Sequence, residues 1–301
     1  MPTEPKILAL QFKYFGDAVL MTPSLRALRE HFPKGELHVL VPEKIAPVLN
    51  QLPWLDRVWP MPHRRGRATI SQTWPVIRAL RRERFDRSVD FGGNDRGAII
   101  SFLVGARHRL GWAQPGGFLG RRFCYHQGVE PEGQVRHESA RLARLLSAWD
   151  IQASSFRAEI RADPALAAPA KQILPPGKIL CHLASSQSKK EWPLAHWARL
   201  HELAVAAGLE LVFGTGVGPR EEALLAEFKR LVPGAAVLEP IPEVGLFGPS
   251  SPTQWAPVGA RHRFLAGSPC TCGNVGVCES PKHCLAAITP EHVFAEIRML
   301  V

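Results

Sequence analysis

The sequence predicts an α/β protein made of two doubly wound parallel sheets. Three observations carry that expectation. Short apolar runs alternate with amphipathic stretches from the N-terminus onward. Several of the turns between them contain glycine. The alternation then stops in an Ala- and Pro-rich stretch, about 162–177, and starts again. The expected domains are therefore 1–161 and 178–301, joined by that linker and facing one another across a cleft, a preferred place for a ligand.

Residues 6–12 (KILALQF) form an apolar run that fits a buried strand. Lys13 to Asp17 make a turn. A helical pattern follows, with Val19, Leu20, Leu25 and Leu28 on one face and Arg26 and Arg29 on the other. Thr22-Pro23 suits a helix start. Residues 36–41 (ELHVLV) are the next strand, and this succession opens a parallel sheet. It continues with a short helix at 45–50, a strand at 56–59, an Arg-rich helix at 73–84 and a strand at 87–90 entering Gly92-Gly93. A helix at 98–104 and a strand at 109–111 come next. A glycine-rich loop at 115–121 leads to an amphipathic helix at 137–149 with Leu142, Leu145 and Leu146 inward. In the second half, 178–183, 210–213 and 235–238 read as strands, and 194–207 and 221–231 as helices.

The 301 residues are 46% hydrophobic, enough for two cores of ordinary size. The formal charge of +10 favours anionic partners, although a solvated Arg-rich surface gives the same balance. Arginines cluster at Arg64, Arg65 and Arg67 and again between Arg78 and Arg87. No aromatic residues are regularly interleaved among them, and no zinc-finger or RNA-binding signature occurs, so nucleic acid is not expected. No apolar run approaches the roughly 18 residues that span a bilayer, and the N-terminal stretch lacks the pattern of a secretory signal. The expected location is cytoplasmic, with peripheral contact at the inner membrane. Cys124 and Cys181 read as buried thiols. Cys270, Cys272, Cys278 and Cys284 have no zinc-finger spacing and read as free thiols in a compact loop, so no metal is expected.

Three loops carry candidate chemistry. Asp17, after Gly16 and at the C-terminal edge of the first strand, could act as a general base or could cap the helix it opens. Residues 184–193 (ASSQSKKEWP) offer hydroxyls, a Lys pair and the start of a helix, which is what a diphosphate needs; a solvated loop has the same composition. Phe213-Gly214-Thr215-Gly216-Val217-Gly218 holds only a fragment of a dinucleotide fingerprint. With no complete fingerprint after the first strand, a dinucleotide-dependent oxidoreductase is disfavoured.

Read together, the pieces resemble glycosyltransferase family 9, the ADP-heptose:lipopolysaccharide heptosyltransferases. Residues 7–33 resemble the opening of that family and 182–200 (HLASSQSKKEWPLAHWARL) its central motif. Residues 246–259 (LFGPSSPTQWAPVG) are similar to its Phe-Gly-Pro segment, and 270–297 to its cysteine-bearing tail. The resemblance implies a GT-B fold and an inverting transfer that needs no metal and no cofactor. The donor would be ADP-heptose and the acceptor the anionic lipopolysaccharide inner core. Asp17 would be the base; Ser185, Ser186 and Lys190 would hold the donor diphosphate; Glu222, in preference to Glu221, would contact the donor ribose. The family also carries a Gly-x-Asp-Ser/Thr-Gly-x-x-His-x-Ala motif just before Phe-Gly-Pro. Here Leu238-Glu239-Pro240 runs almost directly into Phe247-Gly248-Pro249, so a stretch on the order of 40 residues, more than one minimal βαβ unit of ~30, lacks a counterpart. The second domain is then truncated, and the alternative reading is a non-catalytic binding relative that has lost donor turnover.

Overall fold

The computed structural model describes residues 4–62, 70–133, 136–174, 177–185, 188–216, 218–238, 254, 264–268 and 284–299. The chain divides into two compact units, Met1–Asp163 and Pro164–Val301. The arginines at 64, 65 and 67, the Phe-Gly-Pro segment and three of the four C-terminal cysteines lie outside the described residues.

The first unit is built on β1 (Lys6–Leu10), β2 (Glu36–Pro42), β3 (Arg57–Met61), β4 (Arg87–Asp90), β5 (His108–Trp112) and β6 (Gln127–Val129). All five pairings are parallel, and the order is β3-β2-β1-β4-β5-β6. That is the Rossmann order, in which the order of strand addition reverses between β1 and β4 and leaves a crevice at their C-terminal ends. Alternation along β1 feeds two cores. Ile7 and Ala9 face one layer with Leu25, Leu28, Leu142 and Leu145; Leu8 and Leu10 face the other with Ile77, Leu80 and Ile100. A strand buried on both faces must be apolar at every position, which is why KILAL shows no polar alternation.

The helices include α1 (Phe15–Leu20), α2 (Thr22–His31), α3 (Ala46–Leu49), α4 (Ile70–Arg82), α5 (Asp95–Val104) and α6 (Glu138–Leu145). The single helix expected after β1 is in fact two, broken at Met21. Pro23 has no N–H for the carbonyl of Val19. The Thr22 hydroxyl donates to that carbonyl instead, at 2.7 Å. Strand β6 and the 3-10 turn Arg121–Cys124 carry no clear periodic signal.

The second unit holds a parallel sheet of β7 (Ile179–His182), β8 (Leu211–Gly214) and β9 (Ala236–Val237), in that order. It is preceded by α7 (Pro164–Ile173) and packed by α8 (Leu194–Ala206), α9 (Pro219–Leu231) and α10 (Pro290–Arg298). The stretch expected to be a linker thus contains a helix. Proline is tolerated at its first position, and the alanines that follow favour helix. Trp192 anchors the start of α8: it is buried, and its indole N–H donates to the Ile288 carbonyl at 2.9 Å. Cys181 and Cys284 are buried free thiols here, as Cys124 is in the first unit.

One contact fixes how α5 docks on the sheet. A Cβ added at Gly97 would lie 2.3 Å from the Asp90 carboxylate. Gly97→Ala should therefore cost about 1–3 kcal/mol of stability, as overpacking does, while Gly133→Ala, with open space around it, should be near neutral. Urea unfolding of both variants measures this. Equal midpoints would mean that α5 does not pack on Asp90.

Candidate functional site

The crevice at the ends of β1 and β4 is lined by charged and polar groups that the sheet cannot cover. Asp17 is the third residue of α1 and is buried. The Tyr14 N–H donates to its carboxylate at 3.3 Å, so the residue does cap its own helix. Burial pushes its pKa above the usual carboxylate range. Lys13 pulls it down, Glu138 pushes it further up, and the Tyr14 N–H and Arg141 oppose the rise. A carboxylate so placed is a stronger proton acceptor than a free one.

Glu138 and Arg141 are site residues that sequence reasoning missed. Glu138 is buried at the start of α6 and takes a two-pronged ion pair from Arg141 at 2.7 and 2.5 Å. The Arg141 guanidinium lies 4.7 Å from the centre of the Trp112 ring. The only sequence signal was a Glu and Arg three apart on a helix, a spacing common on solvated faces.

Asp90 is the second missed group. It ends β4 with 0% exposure. Its carboxylate accepts the Tyr125 hydroxyl at 2.6 Å and the Gly92 and Gly93 N–H groups at 3.0 and 3.3 Å. The Gly93 carbonyl in turn receives Arg121 and Gln114. Gly111 has no Cβ because the Tyr125 ring occupies that space at 2.3 Å. Burial pushes the Asp90 pKa up to about 6, against the hydrogen bonds from Tyr125, Gly93 and Gly92 and the charge of Arg121. The side-chain N–H2 of Gln11, also buried at this edge, has no hydrogen-bond partner among the described residues.

Beside this network is a cavity of about 1050 Å³, lined by Trp112, Gln114, Arg121, Arg122, Tyr125 and His126 among others. Its loop carries the exposed side chains of Phe118, Leu119 and Phe123. Gly116, Gly117 and Gly120 have positive φ, which lets the chain fold sharply here.

In the second unit two of the sequence loops come together. Strands β7 and β8 are paired, and the Leu183 N–H donates to the Gly214 carbonyl at 2.9 Å, so the Ser185 loop and the glycine turn share one sheet edge. Ser185 is half-buried, and Lys190 ends the short 3-10 turn Ser188–Lys190. Among the described residues Lys190 has no ion-pair partner. Ser186 lies outside the described residues. Glu222 is exposed, whereas Glu221 folds back over the turn, where a Cβ on Gly218 would lie 2.8 Å from its carboxylate. Of the two, it is Glu221 whose side chain lies against Gly216 and Gly218. Arg220, unread in the sequence, donates to the Ser185 carbonyl and to Glu191. Thr215 is 1% exposed, and its hydroxyl has no partner among the described residues.

The Asp90 network predicts a pH signature. Its folded pKa of about 6 exceeds the unfolded value of ~3.9. The native state then binds the extra proton between those values, and wild-type stability declines as pH rises through that window. Asp90→Asn removes the decline. The stability of the variant relative to wild type should rise by on the order of 2–3 kcal/mol from pH 4 to pH 7 and level off above. A difference that stays flat across pH 4–7 in urea titrations would contradict the buried, proton-binding carboxylate.

A sequence profile described as Glycosyltransferase family 9 (heptosyltransferase) matches residues 73–241. The chain is 28% identical over 107 residues to Lipopolysaccharide heptosyltransferase 2 of Escherichia coli (strain K12), covering 36% of this chain and 31% of that protein. It is 22% identical over 354 residues to Lipooligosaccharide heptosyltransferase 2 of Haemophilus ducreyi, covering 98% and 99% of the two. That alignment is longer than the chain itself, so the relative has positions with no counterpart here. The solved structure of E. coli heptosyltransferase WaaC with ADP superposes with a TM-score of 0.69 at 19% identity, covering 98% of this chain and 100% of that one. Its fold is GT-B-like, and the two Rossmann-like units described above are of that kind. With the profile matching more than half its length, the chain belongs to glycosyltransferase family 9, the heptosyltransferase family.

Proposed function

We propose that the protein transfers heptose from ADP-heptose to the inner core of lipopolysaccharide, with inversion at the anomeric carbon. The observation that carries the proposal is the buried Asp17 near the start of α1, in a unit that also holds a large cavity. Asp17 takes the proton of an acceptor hydroxyl. The hydroxyl oxygen forms the new bond to the anomeric carbon as the bond from that carbon to the diphosphate oxygen breaks. ADP departs with the electron pair of that bond, and Lys190, with Ser185 and Ser186, stabilises its charge. Glu221 or Glu222 meets the ribose. The cavity lined by Arg121, Arg122 and His126 suits an anionic acceptor, and its exposed Phe118, Leu119 and Phe123 suit the lipid surface in which that acceptor sits. Among the described residues no helix is long and apolar enough to cross a membrane.

A second reading is favoured by one observation, the longer alignment with the Haemophilus protein. Positions missing between Glu239 and Phe247, which lie outside the described residues, would remove part of the donor site. The protein would then bind ligands without turning them over. Steady-state turnover separates the two readings.

Asp17→Asn keeps an acceptor for the Tyr14 N–H and so should fold, but its kcat should fall by roughly 10²–10⁴ with ADP affinity nearly unchanged. Because burial raises the Asp17 pKa, the acid limb of the wild-type kcat profile should have its midpoint above ~3.9. Equal losses of melting temperature and activity would reduce Asp17 to a helix cap. In calorimetric titrations, Lys190→Ala should weaken ADP binding far more than Lys189→Ala. Unchanged affinity in Lys190→Ala would remove Lys190 from the site.

A further inference from the structure

We propose that Arg220 is a ligand of the donor diphosphate and that Glu191 is the internal anion that occupies it until the donor arrives. This rests on the reading of the Ser185–Lys190 loop as the diphosphate site. Two donors converge on one oxygen of Glu191: the Ser185 N–H, at 3.0 Å, and the Arg220 guanidinium. Arg220 also reaches the Ser185 carbonyl and lies 3.2 Å from Glu221. A backbone N–H and a guanidinium aimed at the same oxygen form an anion site, and carboxylate and phosphate oxygens are equivalent acceptors for such donors.

The carboxylate in that place comes from the loop itself. Glu191 follows Lys190 directly, so releasing it shifts the diphosphate loop and removes one of the groups that hold Arg220. The Arg220 side chain is 43% exposed, so a ligand can reach it from solvent. Glu191 is only 12% exposed, so Arg220 is the open side of the pair and a ligand enters there. A diphosphate carries more charge than one carboxylate and can span both Lys190 and Arg220. Thr215, on the same edge, carries a buried hydroxyl that no group among the described residues satisfies. Glu191 and the donor cannot share Arg220 without like-charge repulsion, so they compete for it.

The competition gives opposite signs for the two partners, which a role in bracing the loop does not. Titration of the full chain with ADP by calorimetry is the test. Glu191→Gln should bind ADP about 3- to 10-fold more tightly than wild type, and Arg220→Gln at least about 10-fold more weakly. Arg199→Gln, which removes an exposed arginine paired with Glu202 and Glu291 on another helix face, should match wild type. A gain in affinity cannot arise from misfolding, so Glu191→Gln keeps the test decisive if Arg220→Gln is unstable. If wild type binds ADP and Glu191→Gln binds it no more tightly, the proposal is overturned and the pair is a brace. If neither wild type nor Glu191→Gln binds ADP, the donor-site reading itself fails.

Discussion

The Asp90 carboxylate holds the C-terminal edge of the first unit's sheet together. A parallel sheet whose order reverses between β1 and β4 leaves an open crevice there, and the loops that line it come from distant parts of the chain. Asp90 sits at the end of β4 beside Leu10 of β1. It gathers the Gly92 and Gly93 N–H groups, the Tyr125 hydroxyl and, through Gly97, the first turns of α5. A buried carboxylate is costly unless it is fully hydrogen-bonded. Its three donors therefore fix the β4–α5 loop and the segment before β6 in one arrangement. Arg121 and Gln114 then tie the cavity loop to the same point through the Gly93 carbonyl.

Asp17 is set in the first turn of α1 and not in a surface loop. Its helix is short, and the Pro23 break lets α2 turn its leucines to the core while α1 keeps Asp17 at the crevice. The Glu138–Arg141 pair brings two further charges close enough to act on Asp17 with opposite sign. The second unit uses a different device. Trp192 buries its indole against Ile288 and anchors one end of the Ser185–Lys190 loop, while Arg220 reaches across from the glycine turn to the other. Each unit thus presents a polar loop cluster at the C-terminal edge of its own parallel sheet, where such folds bind ligands.

Much of the fold was legible because buried parallel strands are apolar throughout. KILAL and ELHVLV could be read without ambiguity for that reason, as could the amphipathic α6. Strand β6 was not legible: it has three residues, QGV, none of them buried, and pairs on one side only. Helix α7 was hidden by its prolines, although the first of them sits where proline favours a helix. For the site, motifs that carry glycine or a Trp-Pro step pointed to Asp17 and to the Ser185–Lys190 loop. Asp90, Glu138 and Arg220 were missed because each gets its meaning from a partner far along the chain: Tyr125 for Asp90, the Asp17 helix for Glu138, Ser185 for Arg220. A single carboxylate before Gly92-Gly93 carries no local mark of being fully buried. Long-range pairing of that kind leaves no periodicity to read.

The central claim is that this chain, short as it is beside its Haemophilus relative, moves a heptose from nucleotide to acceptor. Incubating the purified protein with ADP-heptose and lipopolysaccharide inner core lacking heptose, and following the acceptor by mass spectrometry, tests it most directly. The account predicts acceptor heavier by one heptose, with ADP released in equal amount and repeated turnovers per protein. Acceptor of unchanged mass, under conditions where ADP-heptose is bound, would contradict it and leave a binding protein in place of a transferase.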